Sequence, residues 1–239
     1  HKMPIKSAFS PSTLEKIEKM LKKPSNNDAI RVFHCIPDQQ SRFDRLKRNI
    51  CFATFETYDP PEHWIKILNR FDAVICPSFF DYKIFAHAGI FKPLFHIPHC
   101  LNTNIWNENV IPIKKYDRFT FLFFGAWKKR KGWTQLIEAW CREFKPSDNV
   151  QLLIKTDKSD IAERDIGRIV HNLGLQKKDI APILYEKNIF DDNKLPSFFK
   201  SVDCYISPTL GEGFGLPGLQ CMAIKVPVII TNFSGCQDY

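Results

Sequence analysis

Two short stretches of this sequence carry residue types that could do chemistry. The first runs Ser207-Pro208-Thr209-Leu210-Gly211-Glu212-Gly213-Phe214-Gly215-Leu216, after the strand-like Val202–Ile206. Glycines at 211, 213 and 215 let the backbone turn sharply and come close to a ligand. Leu216, Leu219, Met222 and Ala223 then fall at helical spacing, so the turn opens a helix. Such a turn presents unpaired N–H groups and the positive end of a dipole, which suits a phosphate. Glu212 lies in the turn and Gln220 inside the helix. The second stretch ends the strand-like Phe119–Phe124 at Gly125 and continues Ala126-Trp127-Lys128-Lys129-Arg130-Lys131-Gly132. If both turns follow parallel strands of one sheet, they open on the same edge, and the cations and helix N-terminus face one pyrophosphate. Each has a plainer alternative: a glycine-rich turn is often only a tight connection, and a run of cations is usually a solvated loop.

Other candidates are weaker. Glu56 closes the strand-like Asn49–Phe55 and could bind a hydroxyl or orient an acceptor; equally it could cap the loop or pair with a cation. His96-Ile97-Pro98-His99 does not read as a metal site, because Pro98 breaks helical geometry and no carboxylate or third histidine is close in sequence. His34, within Val32-Phe33-His34, reads as a core histidine. The eight cysteines show no CxxC pair and read as buried free thiols. No Ser-His-Asp or Cys-His arrangement can be placed.

The elements that must hold these residues alternate between strand and helix. Helix signals cover Ser10–Lys23, Asp59–Asn69 with Asp59 as cap, Ser78–His87 with Ser78 and Asp81 as a capping box, 133–144, 159–172, 193–200 and 216–223. Strand signals cover 29–36, 49–55, 73–76, 93–97, 119–124, 150–155, 181–185, 202–206 and 226–230. This alternation implies α/β architecture: two Rossmann-like, doubly wound parallel-sheet domains facing a cleft at the C-terminal ends of their strands. The expected division is one domain at 1–98, a linker at 99–118 and a second domain at 119–239.

With 44% hydrophobic and 25% charged residues among 239, the chain has an ordinary globular composition. It carries no apolar stretch of membrane-spanning length and no signal-peptide core, so a cytoplasmic location is expected. A net charge of +8 favours anionic partners. It is compatible with peripheral contact at a membrane, whereas four adjacent cations without an aromatic platform give little reason to expect nucleic acid.

Gly211-Glu212-Gly213-Phe214-Gly215-Leu216-Pro217, followed by Ala223 through Val226-Pro227-Val228-Ile229-Ile230, resembles the donor-binding signature of family-4 (group 1) retaining glycosyltransferases, which have the GT-B fold. The second acid of that signature is Gln220 here. Lys131-Gly132 and Leu136-Ile137-Glu138-Ala139-Trp140 continue the resemblance, while the arginine expected after Gly125 is Ala126, with Arg130 close by. Cys51 to Thr57, Pro60-Pro61-Glu62, Trp64, Asn69, Asp72 and Pro77-Ser78 resemble a subset of the same family, with Glu56 where many members have histidine. His99 matches a residue at the exit to the linker.

The resemblance implies metal-independent transfer of a sugar from a nucleoside diphosphate to a glycan or lipid acceptor, with no cofactor. Catalysis would fall to Glu212, Lys131 and Glu56. Donor binding would fall to Gly125, Arg130, Lys131, Glu212, Gly213, Phe214, Gly215, Leu216 and Gln220. Relative to a typical member, the opening strands of the first domain and the closing strands and helices of the second are expected to be missing. Two other classes remain: a non-catalytic relative that binds nucleotide or a partner, favoured by Ala126 and Gln220, and a basic α/β binder of nucleic acid or anionic membrane, suggested only by charge.

Overall fold

A computed structural model describes residues 11–23, 29–39 and 47–239. Two parallel sheets organise them. The first contains β1 (Arg31–His34), β2 (Asn49–Phe52), β3 (Ala73–Cys76) and β4 (Leu94–His96), hydrogen-bonded in that order. Helices α1 (Pro11–Lys22), α2 (Glu62–Leu68) and α3 (Phe79–His87) belong to this half. Its core is built on Cys51, Leu68, Phe71, Val74 and Phe85, all fully buried.

The second sheet takes β5 (Phe119–Phe124), β6 (Val150–Lys155), β7 (Ile183–Tyr185), β8 (Cys204–Ser207) and β9 (Val228–Ile230) in the order β7-β6-β5-β8-β9. Successive strand residues point to opposite faces. Accordingly Phe123, Leu152 and Ile154 enter one core with α4 (Trp133–Glu143) and α5 (Ser159–Asn172). Leu122 and Leu153 enter another with α6 (Leu195–Phe199) and α7 (Leu216–Ala223). Both faces are covered, as a parallel sheet requires. The strand order reverses between β5 and β8, and such a switch point leaves a crevice at the carboxyl ends of the strands. The first sheet shows no reversal among its described strands. Between the sheets, residues 98–117 carry no helix or strand. Trp106 within them is buried against Phe199, ring centroids 5.6 Å apart.

Several local expectations change. Ser10 lies outside the described residues. Asp59 does not cap α2: it sits at φ 59°, and the residue before the helix is Pro61, without a side-chain cap. His34 is exposed on edge strand β1 rather than in the core, with its ring 4.7 Å from that of Phe52. All eight cysteines are free, but Cys35 is half-buried and Cys100 exposed. No helix among the described residues is long and apolar enough to cross a membrane.

Candidate functional site

The turn after β5 is fixed before its cations are placed. Trp127 is buried, stacks on Trp133 at 4.3 Å and donates its indole N–H to Asp165 at 3.0 Å. Its backbone N–H donates to Asp157 at 2.9 Å. The chain then winds through a 3₁₀ turn at Lys129–Lys131 and reaches Gly132 at φ +71°. A side chain at 132 would be strained by that φ and would also collide, since a Cβ there would lie 1.8 Å from the Pro208 carbonyl oxygen. Glycine is therefore what lets the two turns touch. They are also hydrogen-bonded, the Arg130 carbonyl accepting from Leu210 N–H at 2.7 Å and from the Thr209 hydroxyl at 3.2 Å.

On this joined backbone the charged side chains meet. Lys131 Nζ lies 2.5 Å from Glu212 Oε1, and its methylenes run over Gly125, at 3.7 Å from where a Cβ would stand. The Arg130 guanidinium lies 3.5 Å from Glu212 Oε2 and 2.9 Å from Glu56 Oε1, and donates to the Gly211 carbonyl. Glu212 is held from behind, its N–H donating to Ser234 Oγ at 2.8 Å and its carbonyl accepting from Gly235 N–H at 2.9 Å. Two cations thus face two carboxylates at the carboxyl edge of the second sheet. An incoming dianion would have to draw the cations away from Glu212 and Glu56, which would free those carboxylates for hydroxyl groups.

Helix α7 starts beside this cluster. Gly215 precedes it at φ +85°, and the N–H groups of Gly215 and Leu216 belong to the first turn, where no intrahelical acceptor exists. Phe214 does not offer its ring to a ligand: it is buried, 5.3 Å from the His99 ring and 5.6 Å from that of Tyr239. Burial, and next to it His34, hold the His99 imidazole below its usual range. Lys128 and Lys129 stay exposed and do not join the cluster. Gln220 is half-buried on α7 and makes none of these contacts.

The first sheet closes the site from the other side. A Cβ on Gly211 would lie 2.1 Å from the Glu56 carbonyl oxygen, and one on Gly213 would lie 1.7 Å from Thr54 Oγ1. The glycine-rich turn is therefore pressed against residues 54–56, so two of its glycines serve the approach of protein to protein. Farther along this junction Asp238 accepts from Phe79 N–H at 2.6 Å and pairs with His96 at 3.2 Å. The participation of Thr54, Thr209, Ser234 and Asp238 went unread in the sequence. Thr54 and Thr209 lie within stretches singled out above, but no local signal gave them these partners.

A sequence profile of the family described as Glycosyl transferases group 1 matches residues 118–239, which begin at β5 and contain both turns. The chain belongs to the group 1 glycosyl transferases. It is 29% identical over 126 residues to the Staphylococcus aureus capsular polysaccharide biosynthesis glycosyltransferase CapM, covering 51% of this chain and 30% of CapM. It is 26% identical over 174 residues to an uncharacterized 41.2 kDa protein from the cps region of Klebsiella pneumoniae, covering 70% of this chain and 44% of that protein. The chain thus spans less than half the length of these relatives. Among solved structures, the α,α-trehalose 6-phosphate synthase of Burkholderia multivorans superposes with a TM-score of 0.66 at 15% identity, over 94% of this chain and 61% of that one. This group 1 glycosyl transferase therefore has the GT-B fold.

Proposed function

We propose that the protein is a retaining, family-4-like transferase that moves a sugar from a nucleoside diphosphate to a glycan or lipid acceptor without a metal ion. The observation that carries the reading is the Lys131–Glu212 pair, 2.5 Å apart although 81 residues separate the partners, at the switch point of the second sheet. Lys131 and Arg130 take the diphosphate, together with the N–H groups at the start of α7. Their positive charge, fixed in a half-buried site, stabilises the diphosphate as it leaves the anomeric carbon. Glu212, released from its ion pairs, accepts from donor-sugar hydroxyls. Glu56 faces the same space from the first sheet, where the acceptor lies. Gln220 stands at the ribose position, where an amide accepts at one atom and donates at the other. Arg130 supports the catalytic reading over a nucleotide-binding relative without turnover, because it brings a guanidinium to Glu212 although Ala126 supplies none.

The test is a thermal-shift screen of the intact protein against UDP-, GDP- and ADP-sugars, followed by transfer assays with and without EDTA and by NMR of the product anomer. One donor class should raise the melting temperature, and the product should keep the donor's anomeric configuration with EDTA present. Inversion, or activity abolished by EDTA and restored by a divalent ion, would contradict the proposal.

A further inference from the structure

Asp81 is fully buried, yet the site described above does not use it. The sequence places it at the third position of α3, where a capping box would turn its carboxylate back to the Ser78 backbone. Half of that box forms, with Ser78 Oγ accepting from Asp81 N–H at 3.0 Å. The carboxylate is committed elsewhere. Oδ1 accepts from Phe55 N–H at 2.8 Å, and Oδ2 accepts from Thr54 Oγ1 at 3.2 Å and from Ser78 Oγ at 2.8 Å. Asp81 therefore holds the two residues before Glu56, at the place where β2 has already ended. Thr54 is also the residue on which Gly213 rests, and Glu56, next after Phe55, is the one on which Gly211 rests.

We propose that Asp81 is a positioning residue for sugar transfer: through Thr54 and Phe55 it sets the backbone from which Glu56 reaches Arg130 and against which the glycine-rich turn closes. The proposal rests on the transferase reading for its effect on turnover and on geometry alone for its effect on Glu56. Burial, with a smaller push from the Glu56 charge, raises the Asp81 carboxyl to about 7 against the lowering by the Phe55 N–H and the Ser78 and Thr54 hydroxyls. The titratable groups facing it are Glu56 from the loop after β2 and Cys76 at the end of β3. Asp238 and His96 stand at the neighbouring Phe79 N–H. Protonation puts a hydrogen on an oxygen that already accepts, from the Phe55 N–H at Oδ1 or from two hydroxyls at Oδ2, so at least one of those donors must turn or draw back. The arrangement that fixes Thr54 is then the one present above the titration.

The experiment compares wild type with Asp81→Asn, which keeps the shape and loses the charge, and with Thr54→Val, which leaves the carboxylate in place. In Asp81→Asn, kcat should fall at least tenfold and its rise across neutral pH should vanish, while the Kd for the free nucleoside diphosphate stays within twofold. Thr54→Val should move kcat in the same direction by less. A readout independent of turnover is the Glu56–Arg130 coupling, taken from melting temperatures of Glu56→Gln, Arg130→Met and the double variant, with and without Asp81→Asn. The coupling should shrink at least by half when Asp81 is replaced. A wild type that binds no nucleoside diphosphate, but whose coupling depends on Asp81, would refute the transferase reading and support the positioning role. An unchanged coupling, or an Asp81→Asn enzyme that only melts earlier with its pH profile intact, would reduce Asp81 to a helix cap and overturn the inference.

Discussion

The two sides of the cleft are built from different materials. On the second sheet, Lys131, Arg130 and Glu212 are charged, half-buried and paired with one another across two turns. On the first, the wall at Thr54–Glu56 is fixed by one buried carboxylate acting on backbone and hydroxyl groups. Breaking an ion pair that water still reaches costs less stability than breaking a fully buried one, because water competes for the same charges. A buried carboxylate is costly unless its hydrogen bonds are met. The difference separates a surface kept available for a charged ligand from a frame that fixes where the opposing wall stands. Substitutions on the first kind of surface should cost activity and leave the fold in place, whereas those on the second should change stability and its pH dependence.

The sharpest way to test that contrast is Lys131→Met, which keeps the methylenes over Gly125 and removes the ammonium. Transfer should fall by about 100- to 1,000-fold, the range for losing one preorganised charge-stabilising group, with the melting temperature nearly unchanged. A large stability loss with modest kinetic change would reverse the assignment of the two sides. Next in size is Gly211→Ala. Its new Cβ meets the Glu56 carbonyl, a backbone atom that cannot swing aside, so the two walls must separate. Turnover should drop about tenfold or more, on the scale expected when a site loosens by an ångström. Calorimetry should still find the nucleoside diphosphate bound, because its groups lie on the second sheet.

Stability against pH probes the first wall by itself. The folded pKa of Asp81 is raised from 3.8 to about 7, so its contribution to folding is fully present below the unfolded value and is lost as pH climbs through the folded one. Wild type should accordingly lose melting temperature between those two values relative to Asp81→Asn at matched pH. Parallel curves would show that Asp81 is not the group titrating. The smallest expected effect is Gln220→Glu, which restores a carboxylate able to accept from two ribose hydroxyls. Nucleotide affinity should rise by about fivefold, on the scale of a hydrogen bond that gains a charge. No gain in a calorimetric titration would detach Gln220 from the ribose position.

Much of this arrangement was legible along the chain, and what was missed has a physical pattern. β3, β5, β6, α5 and α7 begin and end where their apolar periodicity says, because packing against a core and local preference agree there. The aromatic and β-branched residues of 49–55 predict a strand to Phe55, but β2 stops at Phe52. Asp81, 26 residues farther on, takes the Phe55 N–H and Thr54 hydroxyl, and no local pattern at 53–55 records that partner. Asp59 looked like a helix cap by type and spacing, yet its backbone is left-handed and α2 starts without it. The convergence of the turns carrying Lys131 and Glu212 was legible because two strand-to-helix turns of a parallel sheet must open on one edge, whereas the ion pair between them was not. That Arg130 also reaches Glu56, and that Gly211 and Gly213 seat protein rather than ligand, depends on how the two sheets meet, which no single stretch encodes.

The most direct test of the convergence of both turns on one diphosphate is calorimetry of UDP, GDP and ADP with wild type and with Lys131→Met. One nucleoside diphosphate should bind wild type, and the variant should bind it at least tenfold more weakly. Binding of none of the three, or binding indifferent to Lys131, would contradict the account.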